Sequence, residues 1–568
     1  MHIDGIPNRS SRPTYLLRES YREGKKVRKR TLANLSALSD EQIESIRAVL
    51  AGHCVRPVEQ LWQIVRSRPH GAVEAVRVAM QRLGFESLIA SRAGPERDAV
   101  CALVAARILA PHTKLATTRW WQTATLPEEF GVEGADENDL YAAMDWLLER
   151  QARIQKKLAA RHLAEGGLAL YDLSSSYFEG QCCPLAKIGY SRDRKRNTLQ
   201  VNYGLLTNRA GCPVAISVYE GNTGDARTLP DQVRRLRQDF CLERLVLVGD
   251  RGMISHKAIE GLRSLEGLDW ITALKSGQIR ALVQGGALQL GLFDERNLVE
   301  FAHPDYPDER LVACRNAELG RLRAHKREAL LVATQKELEK IRARVEAGAL
   351  AGRDKIGVRV GKVVNKYKVA KLFELAIEDS AFEFQRLAAQ VAAEAALDGI
   401  YIIRTSVPKK QMDSAEAVRS YKALAQVERA FRSMKTIDLQ VRPIHHRLEG
   451  RVRAHIFLCM LAYYVEWHMR EVWRELLFAD EDLQRKKHRD PVAAATRSAA
   501  ASHKAAVRTL PDGSSVHSFR TLLAELATIV RNTCQPAAVA AAASTFQMTT
   551  LPNPTQLRAL QLLQSITV

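Results

Sequence analysis

Two acids at the ends of short apolar runs constrain this chain more than any other feature. Residues 168–173 read LALYDL and residues 244–250 read RLVLVGD, which puts Asp172 and Asp250 each just past a stretch of β-forming residues. Short apolar runs bounded by polar or glycine residues predict strands buried on both faces. A carboxylate beside such a strand is desolvated unless a metal, a basic group or a helix N-terminus meets it. Taken singly, each Asp also reads as a strand-terminal turn or a helix cap.

The neighbouring segments decide between these readings. After LALYDL come the strands QVNYGLLTN and PVAISVYEG, joined by a turn at Arg209–Pro213. A helix TLPDQVRRLRQDF, the strand RLVLVGD, a second helix ISHKAIEGLRSL and the strand DWITALK follow. The order βββαβαβ, a meander and then crossovers, predicts an α/β fold with an RNase H-like mixed sheet flanked by helices. Its first and fourth strands lie side by side, so Asp172 and Asp250 come close enough to share divalent ions. Two such ions about 4 Å apart can activate an attacking oxygen and stabilise a leaving one in phosphodiester displacement. Carboxylates suit magnesium or manganese, and the sequence spacing offers no His/Cys cluster of the kind zinc prefers.

A third ligand is expected from a helix beside these strands. Residues 414–435, SAEAVRSYKALAQVERAFRSMK, predict one long helix on which Tyr421, Glu428 and Lys435 are spaced seven and seven. At about 100° per residue, seven steps return within about 20°, so the three share one face. A Tyr, a Glu and a Lys in one stripe are ordinary for an exposed face and odd for a core. Beside the two strand acids they read as an active-site wall, with Glu428 on metal and Tyr421 and Lys435 on phosphates.

These segments resemble a known family. YDLSSSYFEG, VGDRGMIS and Y-x-x-L-x-x-x-E-x-x-x-x-x-x-K are similar to the first Asp, second Asp and Y-R-E-K signatures of DDE transposases of bacterial insertion sequences, in the insertion-sequence-four superfamily. GYSRDRKRNTLQVNYGLL, EGNTGDARTL and the segment from Tyr421 to Ala462 resemble its long-chain branch, and the likeness covers roughly residues 165–475. The resemblance implies Asp172, Asp250 and Glu428 as catalytic and metal-binding residues, holding two Mg2+ per site with Mn2+ as a substitute. It implies cleavage at terminal inverted repeats by water, then strand transfer in which the freed 3′ hydroxyl attacks target DNA. The partners it implies are double-stranded DNA at both stages and a second copy of the chain, as a homodimer in a synaptic complex, with no small-molecule cofactor. Leu424 departs from the pattern, standing where the general signature has Arg. Arg251 is open between a DNA contact and an ion pair. In EGNTGD, Glu220 and Asp225 are competing acids, although a strand-to-helix turn explains Asp225 more simply.

The rest of the chain carries less chemistry. Lys and Arg number 84 against 64 Asp and Glu among 568 residues, a formal charge of +20, which favours a polyanionic partner such as nucleic acid. Residues 1–52 predict a basic two-stranded hairpin, with Lys25, Lys26, Lys29 and Arg30 on its second strand, and a capped helix from Ser39. The hairpin reads equally as a phosphate-contacting ribbon or as a lysine-guarded sheet edge. Residues 53–165 predict a helical DNA-binding region, 166–275 the first part of the catalytic core, and 276–398 an insertion domain outside the core sheet. Residues 399–475 complete the core with the Glu helix, and 476–568 predict a linker and a helical tail. The nine scattered cysteines include no C-x-x-C pair and fit a reducing cytoplasm. No stretch is long and apolar enough for a membrane span. His445, His446 and His455 read as structural. A structure-selective nuclease on the same fold would share the acids, whereas a DNA-binding protein without catalysis would have no need of them.

Overall fold

The computed structural model describes residues 1–9, 11–53, 62–180, 182–195, 197–293, 296–536 and 545–568. These form two compact units, residues 1–68 with 530–551 and residues 69–529 with 552–568.

In the smaller unit, β1 (His2–Ile6), β2 (Thr14–Glu23) and β3 (Lys26–Asn34) make an antiparallel sheet in that order. The turn between β2 and β3 uses Gly24 at φ +62°, a left-handed conformation that favours glycine. The expected two-stranded hairpin gains β1 as a third strand, tied on by Asp4, which accepts from Arg18 at 3.1 Å and Lys29 at 3.0 Å. The capped helix runs over Asp40–Leu50, with Ser39 and Gln42 bonding each other's backbone N–H. Residues 54–61, where the helical region was expected to begin, lie outside the described residues. The next element is a strand, β4 (Trp62–Pro69), in a three-stranded sheet with the C-terminal strands Val530–Pro536 and Phe546–Thr549.

The larger unit begins with helices. Gly71–Arg82, Pro95–Leu109 and Glu137–Glu149 pack against the Glu449–Val472 helix, which is buried along most of its length. A central sheet contains β5 (Leu168–Tyr177), β6 (Lys187–Ile188), β7 (Leu199–Asn208), β8 (Pro213–Glu220), β9 (Leu245–Val248) and β10 (Leu268–Ala273). Its core order is β8-β7-β5-β9-β10, with β5, β7 and β8 antiparallel and β5, β9 and β10 parallel. This is the RNase H-like arrangement, and the first and fourth strands of the motif, β5 and β9, are neighbours.

The insertion differs from the expectation of a domain outside this sheet. β11 (Leu298–Phe301) and β12 (Arg310–Arg315) extend it, and β13 (Phe373–Ile377) and β14 (Phe382–Arg386) pair only with each other. β15 (Ile400–Thr405) then joins β12 to β10. Leu311, Val312, Ala313 and Cys314 are all buried, so β12 has to be covered on both faces and paired at both edges. The Ala317–Glu346 and Arg353–Tyr367 helices, with β13 and β14, build a separate apolar cluster around Leu338, Ile356, Phe373 and Phe382. Residues 476–515, expected as a linker or arm, instead pack down: Val492 and Leu510 enter the main core, and Lys504 donates to the carbonyls of Arg474, Glu475 and Leu477. A cation there meets carbonyls just past the C-terminal end of the Glu449–Val472 helix. Among the described residues no single helix is long and apolar enough to cross a membrane.

Candidate active site

β9 ends at Val248, and its pairing with β5 stops at the rung Leu170↔Val248. Asp172 therefore lies on β5 just beyond the last parallel rung, and Asp250 in the turn directly after β9. The sequence placed Asp172 at a strand end; β5 in fact continues to Tyr177 by pairing with β7. Asp172 Oδ1 accepts from the N–H of Leu173 at 2.8 Å, and Asp250 Oδ1 accepts from Gly252 at 2.9 Å and Met253 at 2.8 Å. Among the described residues no protein donor reaches Oδ2 of either acid.

Glu428 sits on the Leu424–Arg432 helix, which packs across β5 and β7. Burial pushes the Asp172 carboxyl up to about 7, against the Leu173 N–H; Asp250 and Glu428 push the same way, and Arg192 opposes them. Tyr421 is pushed up to about 12, first by burial and then by Asp250, with Glu428 and Asp172 adding and Arg251 opposing. The structure thus brings Asp172, Asp250, Glu428 and Tyr421 into one electrostatic neighbourhood. Arg251 is exposed at its edge, lining a cavity of about 230 Å3 with Tyr421 and Arg323. Among the described residues no carboxylate pairs with Arg251. Leu424 packs half-buried on the core.

The expected single helix is broken. Ser414–Lys422 and Leu424–Arg432 are separate helices meeting at Ala423, and residues Ser433–Ile437 form a π turn. The wider turn rotates Lys435 off the exposed face. Lys435 is only 8% exposed, donating to Ser174 Oγ at 3.0 Å and pairing with Asp193 at 2.7 Å. Burial holds its ammonium below the usual range, and Asp193 opposes that shift. Ser174 is two residues from Asp172 on β5, so Lys435 still meets the strand face that carries the acid. Asp193 also pairs with Arg442 and accepts from the N–H of Tyr177 at 3.0 Å.

Two participants, Asp193 and Arg192, were not foreseen from sequence, and a third, Asp225, was weighed as a competing acid but read as a turn residue. Asp193 lies in the basic stretch GYSRDRKRN, where an acid among cations was the available signal. In the same stretch, Arg192 donates its backbone N–H to Ser175 Oγ at 3.0 Å and pairs through its guanidinium with Asp225. Asp225, read as a turn residue, does open the Asp225–Arg234 helix. It also reaches the site: a Cβ added to Gly252 would lie 3.3 Å from Asp250 Oδ1 and 3.7 Å from Asp225 Oδ2. The two carboxylates therefore share the space over Gly252. Glu220 is the exposed last residue of β8.

Elsewhere, Lys25, Lys26, Lys29 and Arg30 are exposed in the smaller unit, with Lys29 paired to Asp4 at 3.0 Å and Arg30 to Glu19 at 2.8 Å. The absence of a His/Cys cluster inferred from spacing does not hold in space. Donor atoms of His162, Cys212 and His468 lie within 4.8 Å of one another, brought together from three distant segments. Cys212 Sγ is 3.8 Å from His468 Nε2, and His162 Nε2 is 3.0 Å from Tyr464 Oη. Burial pushes His162 down to about 4 and His468 to about 3, which keeps both neutral.

Residues 177–465 match the Transposase DDE domain family, a span that contains Asp250 and Glu428 and begins just after Asp172. Residues 6–60 match the IS1634 family transposase N-terminal domain. No curated protein matches the chain. Among solved structures it is similar to the piggyBac transposase synaptic complex with hairpin DNA, at 10% identity and a TM-score of 0.34, over 80% of this chain and 76% of that one. The DDE domain match covers just over half of the chain, and with the N-terminal match it shows that the chain belongs to the DDE transposases of insertion sequences, of the IS1634 type.

Proposed function

We propose that Asp172, Asp250 and Glu428 hold the divalent metal on which this DDE transposase depends, as two Mg2+ ions for which Mn2+ can substitute. The observation that carries this reading is the Asp172 carboxyl, pushed up to about 7 by burial and by the charges of Asp250 and Glu428. A buried carboxyl raised in this way beside two other carboxylates needs a cation to ionise. The donor set fits: every candidate ligand is a carboxylate oxygen, and Oδ2 of both Asp172 and Asp250 is left over by the backbone donors. When bound, the ions supply activation of the attacking oxygen and neutralisation of the leaving one. The chain's own residues do the positioning. The N–H groups of Leu173, Gly252 and Met253 fix the two Asp carboxylates, Tyr421 and Arg251 border the space a scissile phosphate would take, and Lys435 supplies positive charge along the β5 face. The substrates are the element's terminal inverted repeats and then target DNA, cut by water and joined through the freed 3′ hydroxyl. Because two ends have to meet, the working form is a homodimer in a synaptic complex.

The test is a plasmid carrying the element's ends, assayed for cleavage and for end binding in parallel. Asp172→Asn, Asp250→Asn and Glu428→Gln should each lower cleavage by roughly 100-fold or more, as loss of a central electrostatic group does. Binding should persist in all three. Wild-type cleavage in any one of them would remove that residue from the triad.

A further inference from the structure

A second basic cavity, of about 650 Å3, adjoins the one around Lys435, and Gln440 and Arg442 line both. Its wall joins the start of the Lys114–Trp121 helix, the 440–448 loop and the first turn of the Glu449–Val472 helix. Arg107, Lys114, Arg442, Arg447 and Arg451 line it together with four histidines, and among the described residues no Asp or Glu does.

Several of these groups are buried and lack partners. Lys114 is 3% exposed and makes no ion pair or hydrogen bond among the described residues. His455 Nδ1 and Arg451 Nε are buried without a hydrogen-bond partner. Among the described residues Arg107 reaches only the carbonyl of His112, at 3.3 Å. Arg442 has Asp193, and Arg451 has Asp145 at 3.6 Å, outside the lining of the cavity. Burial, with Arg107 adding, pushes the Lys114 ammonium down to about 7. A methionine would fill the same volume without that penalty. Lys114, buried without a partner in a wall of cations, needs an anion to complete it. A carboxylate can occupy one guanidinium fork; a phosphate has enough oxygens to meet an ammonium and more than one fork together.

We propose that this cavity seats a phosphate group of the bound DNA backbone, a second holding point beyond the pocket of Lys435. The anion seat stands apart from the acid site; assigning its phosphate to DNA rests on the proposed function. The test uses the full-length chain in EDTA, so that failure of the metal triad leaves the readouts untouched. Pyrophosphate should raise the thermal midpoint of the wild type. Lys114→Met should melt at or above the wild-type temperature without anion and lose most of the pyrophosphate response. On a mixed-sequence duplex, Lys114→Met should weaken binding roughly five-fold or more and reduce the slope of log affinity against log salt by about 1. Arg447→Gln, exposed on the rim and unable to disturb packing, should show the same losses to a smaller degree. A full pyrophosphate response in both variants would overturn the seat. Loss of that response with unchanged duplex affinity would overturn its assignment to DNA and leave free phosphate as the ligand.

Discussion

At Asp172 the chemistry of the site also acts on stability. Its carboxyl is raised from 3.8 to about 7, chiefly by burial, so between those values the folded state keeps a proton that the unfolded state releases. Where the native state binds more protons, stability falls as pH rises; the penalty grows from about pH 4 and is complete above about pH 7. Metal-free Asp172→Asn should therefore match wild type near about pH 4 and exceed it near about pH 8 by on the order of 1–4 kcal/mol. Added Mg2+ should stabilise wild type and not the variant. Denaturant titrations at the two pH values check this, and a difference that does not change with pH would contradict it. Lys435 calls for a different outcome from the one its helical spacing suggests. Lying between Ser174 and Asp193, it should be missed by the fold as well as by the reaction. Lys435→Met should cost about 1–3 kcal/mol, less than an orphaned buried charge would, because Arg442 still pairs with Asp193. Urea unfolding with no DNA present measures that loss, and an unchanged midpoint would mean that the contacts of Lys435 with Ser174 and Asp193 do not stabilise the fold.

Among the elements, the β5–β7 ladder positions the first acid. Gly204 on β7 faces Leu173 in register, and a Cβ there would strike the ring and hydroxyl of Tyr171, the residue before Asp172. Tyr171 is fully buried and has nowhere to retreat. Gly204→Ala should therefore destabilise by about 1–3 kcal/mol through overpacking and slow cleavage by moving Asp172, with DNA affinity unchanged. Thermal melting and a cleavage assay on the same preparation check it; a silent substitution would mean that the ladder yields more than its packing suggests. The Glu428 segment shows what periodicity can and cannot convey. Tyr421 and Glu428 stay in the same electrostatic neighbourhood although they lie on separate helices, Tyr421 feeling Asp250, Glu428 and Asp172. The break at Ala423 is invisible in sequence, since alanine is the strongest helix former. The π turn at Ser433–Ile437 is equally hidden, being stabilised by contacts such as Ser433 with Asp438 and Glu466.

Over the whole molecule, the charge of +20 predicts DNA affinity that falls steeply between about 50 and 200 mM salt. The four cations of the basic ribbon should not contribute equally. Lys29 and Arg30 already have Asp4 and Glu19 as partners, whereas Lys25 and Lys26 are exposed and form no ion pair among the described residues. If the ribbon touches phosphates, Lys25→Ala with Lys26→Ala should lower the salt slope by up to about 2, and the Lys29 and Arg30 pair should lower it by less. Anisotropy titrations over that salt range decide, and an unchanged slope in both would leave β3 as a guarded edge.

What the sequence determined by itself was local or periodic: the βββαβαβ order, the acids of Asp172 and Asp250 beside adjacent strands, the Ser39 capping box and the helical character of the Tyr421 and Glu428 segments. Alternation, caps and turn chemistry act among near neighbours, so a short window contains both partners. Tertiary structure alone decided that Asp225 and Arg192 reach the acid site, that Lys435 turns inward to Asp193, and that β11 and β12 join the sheet. It alone paired β4 with the strand Val530–Pro536 and left Lys114 buried among arginines. Each of these depends on which distant segment supplies a strand edge, a counter-charge or the cover that removes water. Strand edges and counter-charges are chosen by the packing of the whole chain, and desolvation acts on a side chain only after that packing is complete.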